Sequence, residues 1–280
     1  MDLGLQGKTV FVTGASGGIG LAVAEVLAAE GANLVLQGHR QFEALRTWVG
    51  EQEWSGRALA VEADVTASES IEAAFERAVE RFGPLHGCVV NAGIWPPEDT
   101  PLADMTEERL RRTLDVNLAG AVWTSRAFLR SIRQTGPSEV GAGASIVYTG
   151  STAAKFGEKG HSDYSASKAA LYGLMRSLKN EIVDIDPYGR VNVVDPGWTV
   201  TEMTEKNLDE PGVVERVVRT MAVKQLARAV DIANALVLLL SPTASRHVSG
   251  EILTVAGGME GRVLWEAETV DASAVRERLR

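Results

Sequence analysis

The sequence predicts an α/β fold in which one parallel sheet carries helices on both faces. Apolar, β-branched runs alternate with amphipathic helical stretches along most of the chain. A glycine-rich turn joins the first strand to the first helix, and polar or glycine residues recur where the strands end. At 280 residues, with 45% apolar and 23% charged residues, the chain suits one large domain, placed at residues 1–260, with 261–280 as a C-terminal tail.

Lys8 to Thr13 reads as a buried strand, and Gly14-Ala-Ser-Gly-Gly18-Ile-Gly20 follows at once. The run then enters a helical pattern over Leu21 to Glu30 that Gly31 stops. Strand, glycine turn and helix form the arrangement in which backbone N–H groups and a helix N-terminus receive a pyrophosphate. A glycine run alone is often only a loop; the strand before it and helix after it favour the nucleotide reading. Asn33 to Gln37 completes the βαβ unit.

Further strands are expected at Arg57 to Glu62, His86 to Val90, Ser145 to Thr149, Arg190 to Val194 and Glu251 to Val255. Helices are expected at Ser68 to Arg81, unbroken from Thr106 to about Arg133, around Tyr164 and closed near Pro187, and at Ile232 to Leu240. Gly14, Asp64, Asn91, Ser151 and Pro196 then fall at the carboxyl ends of strands, the edge where such sheets bind ligands.

The formal charge of -9 disfavours a nucleic-acid partner recognised through a basic surface. A single cysteine, Cys88, makes no internal disulfide and fits a reducing compartment. No basic-then-apolar leader opens the chain and no apolar run reaches membrane-spanning length, so a cytoplasmic protein without a membrane role is expected. Four histidines are scattered, giving no support for a metal.

The chemistry centres on Tyr164 and Lys168, four residues apart on one helical face. An ammonium beside a phenol favours the phenolate and lowers its pKa toward a useful range. The spacing alone more often marks only a solvated helix face; the other segments decide between the two.

Together, the motifs Thr13-Gly14-Ala-Ser-Gly-Gly18-Ile-Gly20, Asn91-Ala92-Gly93, Asn117 in Asp-Val-Asn-Leu, Ser151, Tyr164-Ser-Ala-Ser-Lys168 and Pro196-Gly197 with Thr201 resemble the short-chain dehydrogenase/reductase family, in its single-domain, Rossmann-type oxidoreductase branch. The resemblance covers roughly residues 5 to 259. It implies a nicotinamide coenzyme along Gly14, Ser16, Gly18, Ile19, Gly20, His39, Arg40, Asp64, Val65, Asn91, Ala92, Gly93, Tyr164, Lys168, Pro196, Gly197, Thr199 and Thr201. It also implies Tyr164 as general acid or base, with Lys168 on the nicotinamide ribose. Ser151 would hold the substrate oxygen, and Asn117 a water that relays protons.

After the second strand the chain reads Gln37-Gly38-His39-Arg40, with no acid for ribose hydroxyls and a basic pair for a 2′-phosphate. Gly17 stands where many NADP-preferring relatives carry a basic residue. NADP(H) is expected over NAD(H). Trp95, Ala153, His161 and Trp198, with the stretch to about Thr220, are expected to line a substrate pocket for a small carbonyl or alcohol.

A 3-oxoacyl-acyl-carrier-protein reductase is the alternative. Arg126, Arg130 and Arg133 would supply part of a patch for an acidic carrier, which Asp184 and Asp186 would oppose. A non-catalytic NADP-sensing protein is the reading of another class, disfavoured because Tyr, Lys and Ser are all present. A homotetramer is implied by the resemblance, through the Thr106 and Tyr–Lys helices and the last strand.

Overall fold

The computed structural model describes residues 2–136, 142–201, 217–259, 261 and 263. Almost all of the expected 261–280 tail, and the pocket stretch 202–216, lie outside the described residues. The strands are β1 (Thr9–Val12), β2 (Asn33–Gly38), β3 (Ala58–Glu62), β4 (Gly87–Val90), β5 (Ser145–Thr149), β6 (Arg190–Pro196), β7 (Thr199–Val200), β8 (Ala227–Arg228) and β9 (Ile252–Val255). The helices are α1 (Gly18–Ala29), α2 (Phe42–Gly50), α3 (Ser68–Phe82), α4 (Glu107–Leu114), α5 (Gly120–Thr135), α6 (Thr152–Phe156), α7 (Ser162–Glu181) and α8 (Ala229–Leu240).

Seven strands form one parallel sheet in the order β3-β2-β1-β4-β5-β6-β9, and β7 pairs with β8 separately. The order reverses between β1 and β4, which opens a crevice at their carboxyl ends. Both sheet faces are covered, so most strand residues are apolar, although β6 also buries Arg190, Asn192 and Asp195. Phe11, Val35, Cys88 and Ile146 point to one core with Phe75 and Phe128. Val10, Val12, Leu34 and Val147 point to the other, beneath α1 and α8. Phe11 and Phe75 stack with ring centroids 4.0 Å apart.

The structure corrects two expectations. The helix from Thr106 is not continuous: a π-helical turn, Asp115–Ala119, separates α4 from α5. Such a turn inserts one extra residue, and Asn117 within it is buried. The Tyr–Lys helix ends at Glu181 and passes into a 3₁₀ turn, Ile182–Asp184, before Pro187 is reached. Asp186 stops the chain there, its carboxylate accepting from the Ala144 and Tyr188 N–H groups at 2.8 and 3.1 Å. The short elements α2, α6, β7 and β8 were not foreseen. Among the described residues no helix is long and apolar enough to cross a membrane.

Candidate active site

The crevice continues into a cleft of about 1840 Å³. Its walls include Gly14, Asp64, Asn91, Ser151 and Pro196, the five strand-end residues that sequence reasoning placed on one edge.

The glycine turn is shaped to admit an anion. Gly14 has φ +62°, and a Cβ there would lie 2.8 Å from the Ala92 Cα. Gly17 provides no side-chain cap for α1, and the first turn of that helix holds no acidic residue. The N-terminal N–H groups and the positive end of the helix dipole therefore face the cleft without a competing carboxylate. Ser16, Gly18 and Ile19 line it. Gly20 does not: a Cβ there would sit 2.3 Å from the Gly14 carbonyl oxygen, so its part is to let α1 approach the turn.

Around the turn, polar side chains tie strand ends together. Asn91 Nδ2 donates to the Thr13 and Gly14 carbonyls at 3.2 and 3.1 Å, and Asn91 Oδ1 accepts from Thr149 Oγ1 at 3.1 Å. Gln37 was read only as a missing acid. Its Oε1 accepts from the Gly14 N–H at 2.9 Å and its Nε2 donates to the Ala63 carbonyl at 2.5 Å. A buried amide at the end of β2 was the signal available. Further along the wall stand Val65, Ala92, Gly93, Gly197, Thr199 and Thr201. His39 and Arg40 are exposed and line the cleft beside Asp64. His39 Nε2 is 4.0 Å from the Asp64 carboxylate. Burial pushes that carboxyl up, but bonds from Thr66 and the charges of His39 and Arg40 bring it below its usual value.

At the other end of the cleft, Tyr164 and Lys168 project from α7. Lys168 Nζ donates to the Thr149 carbonyl at 2.8 Å and lies 5.9 Å from the Tyr164 ring centroid. A Cβ on Gly93 would come within 3.1 Å of Nζ, so the loop after β4 passes close against the lysine. Ser151 caps α6, its Oγ accepting from the Ala153 N–H at 3.1 Å, and it lines the cleft together with Tyr164. Burial lowers Lys168 to about 8, with Asp195 pulling it back up. Burial also raises Tyr164 to about 12; the Ser151 hydroxyl acts to lower it, while Glu158 and Asp195 raise it further. The expected lowering of the phenol by Lys168 is therefore not what the protein alone displays, because desolvation dominates both groups.

Asn117 is held by a two-way bond to the Ile94 backbone, N–H to Oδ1 at 2.7 Å and Nδ2 to the carbonyl at 2.9 Å. Its Nδ2 also donates to Ser167 Oγ at 3.0 Å. The amide thus fastens the loop after β4 to α7, with Gly93 and Lys168 alongside. From α4, Arg109 and Thr113 grip Asp163, the residue before Tyr164, at 3.1 and 2.8 Å. That grip fixes the start of α7.

Of the residues expected to touch substrate, Trp95, Ser151 and Trp198 line the cleft. Ala153 and His161 are buried and are not brought to its wall. His161 instead stacks on Trp95 and bonds the Pro96 carbonyl through Nε2 at 2.8 Å. Among the described residues, no group of three His, Cys, Asp or Glu is placed to hold a metal ion.

This arrangement suits proton exchange with an oxygen held between Ser151 and Tyr164, next to a groove with a bare helix N-terminus for a dinucleotide. The family model described as enoyl-(acyl carrier protein) reductase matches residues 14–260. An acetoacetyl-CoA reductase from Synechocystis sp. is 36% identical over 258 residues, 92% of this chain and 98% of the relative. The 3-oxoacyl-[acyl-carrier-protein] reductase FabG of Escherichia coli is 33% identical, over 92% of this chain and 99% of its own. A crystal structure of a short-chain dehydrogenase/reductase (glucose/ribitol dehydrogenase) from Brucella melitensis superposes with a TM-score of 0.82 at 32% identity, covering 92% of this chain and 99% of that one. Glycine cradle, Tyr–Lys helix, sheet order and these likenesses agree: the chain belongs to the short-chain dehydrogenase/reductase family of oxidoreductases.

Proposed function

We propose that the protein reduces the carbonyl of a small molecule to a secondary alcohol, and runs the reverse oxidation, with NADP(H) as the preferred coenzyme. The observation that carries the reading is the convergence of Ser151, Tyr164 and Lys168 at one end of the glycine-walled cleft. The nicotinamide, when bound, supplies or accepts the hydride. Ser151 orients the substrate oxygen, and Tyr164 gives it a proton in reduction or takes one in oxidation. Lys168 holds the ribose of the coenzyme. Asn117 keeps the loop after β4 closed on α7, so that Lys168 meets a fixed wall. His39 and Arg40 attract a 2′-phosphate at the far end, where no carboxylate follows β2 directly.

Trp95 and Trp198 favour an apolar or flat substrate. The relatives' names favour a second reading, a 3-oxoacyl group carried on coenzyme A or on an acyl carrier protein. Surface charge argues for free substrates first. Arg126 and Arg130 are both paired to the same Glu72 oxygen, at 2.8 and 2.5 Å, and Asp184 is exposed near the end of α7. Asp186 is buried, so it adds nothing to the repulsion that the sequence suggested. A homotetramer in the cytoplasm completes the proposal.

A panel of free ketones, acetoacetyl-CoA and acetoacetyl carrier protein, assayed with NADPH and NADH, tests it. Efficient turnover of free ketones with NADPH is expected. A preference for NADH would overturn the coenzyme assignment, and a large preference for the carrier-bound substrate would overturn the ranking. Coenzyme binding without turnover of any substrate would leave a sensing protein.

A further inference from the structure

Beside the catalytic groups, and outside the lining of the cleft, a buried carboxylate is gripped from α7. Asp195, near the end of β6, is fully buried. Its Oδ1 accepts from the Ser151 N–H at 3.1 Å, and its Oδ2 accepts a short bond from the Tyr172 hydroxyl. Tyr172 is one turn beyond Lys168 on the same face of α7. The carboxylate lies hard against the chain before Ser151: a Cβ at Gly150 would be 2.0 Å from Oδ1. One side chain thus holds the catalytic serine's backbone and is itself held by the helix that bears the tyrosine and lysine.

We propose that Asp195, fixed by Tyr172, is a positioning residue of this active site, seating Ser151 and standing as the counter-charge to the Lys168 ammonium. The inference rests on the reading of Ser151, Tyr164 and Lys168 given above. Lys168 also meets the Thr149 carbonyl and the Tyr164 ring. Asp195 is the charged group that opposes its desolvation. Asp195 in turn bonds Tyr172 and the Ser151 N–H, and Lys168 on α7 and Lys155 on α6 are the positive charges that act on it. The same negative charge, together with Glu158, disfavours the Tyr164 phenolate. Removing it acts on both groups in one direction: the ammonium and the neutral phenol each give up their proton more readily.

The test is Asp195→Asn, which keeps an oxygen for the Ser151 N–H, alongside Tyr172→Phe, which leaves the carboxylate but removes its donor. The first readout needs no coenzyme or substrate: NMR titration of the Lys168 ¹³Cε signal, assigned by its loss in Lys168→Arg. Wild type should titrate at about 8. Asp195→Asn should titrate at lower pH, whereas Tyr172→Phe, which keeps the negative charge, should titrate near wild type. The second readout is the pH limb of alcohol oxidation that Tyr164→Phe abolishes, which should also move to lower pH. A folded Asp195→Asn protein with an unmoved Lys168 titration overturns the proposal. If that variant does not fold, Asp195→Ser, which also removes the charge, is titrated in its place, and an unmoved Lys168 titration there overturns it as well. A shifted Lys168 titration in a protein that turns over no carbonyl would keep the coupling and sink the reductase reading instead.

Discussion

Trp95 and His161 lie face to face, with ring centroids 4.6 Å apart and planes 12° from parallel. The imidazole is buried, and its Nε2 bond to the Pro96 carbonyl anchors the loop that carries the indole. His161→Ala removes a ring contact of about 0.5–1.5 kcal/mol and frees that loop. KM for the carbonyl substrate should rise several-fold while kcat holds, because Tyr164 is left in place. Steady-state kinetics on a purified ketone check this; a lost kcat with unchanged KM would place His161 in the chemistry.

Tyr164→Phe deletes one oxygen at the end of the cleft. Turnover should fall by at least about two decades, the usual scale of general acid–base catalysis. Coenzyme affinity, read by fluorescence titration, should stay near wild type, since the glycine turn is untouched. Wild-type turnover would remove Tyr164 from its role.

Arg109 and Asp163 form a buried pair whose acid side chain is 0% exposed. Arg109→Met strands that carboxylate and should cost on the order of 3–5 kcal/mol of stability. Burial pushes the Asp163 carboxyl up, but bonds from Arg109, Thr113 and the Tyr164 N–H leave it below its usual value. Its contribution is therefore present above the ordinary carboxylate pKa and lost as pH falls through the lower, folded one. Urea unfolding of wild type and Asp163→Asn from neutral to acid pH should converge as that charge is neutralised.

Lys168 titrates at about 8 in the folded protein against 10.5 when free. The unfolded chain binds more protons between those values, so this residue's contribution to stability rises with pH across that window. Cys88 and Tyr164 act in the opposite sense at high pH, since burial raises both. The difference between wild type and Lys168→Met isolates the lysine. It should shift in favour of wild type from pH 8 to 10.5, and a flat difference would contradict a buried, desolvated ammonium.

The sheet was legible because both of its faces are covered: its strands are short, mostly apolar runs, and the loops of Gly14, Asn91 and Ser151 start where such runs end. The glycines were legible as well, since a turn such as Gly14 with φ +62° excludes most other residues. Side-chain partnerships were not. Nothing in local sequence distinguishes an Asn117 that bonds Ile94 and Ser167 from an ordinary helix amide, so the π turn passed for continuous helix. His161 looked like a pocket residue because its stacking partner Trp95 lies 66 positions earlier (161 − 95). The proton affinity of Tyr164 depended on burial, which four-residue spacing does not encode.

The surplus residue in the turn Asp115–Ala119 makes chain length there matter more than side-chain identity. In a helix each residue advances the screw by about 100°, so deleting any one of the five would rotate α4 against α5 by that angle. Arg109 and Thr113 would swing off Asp163 while Phe128 stayed seated in the core. A shortened protein of this kind should fold around an intact nucleotide half and yet present its tyrosine on an unmoored helix.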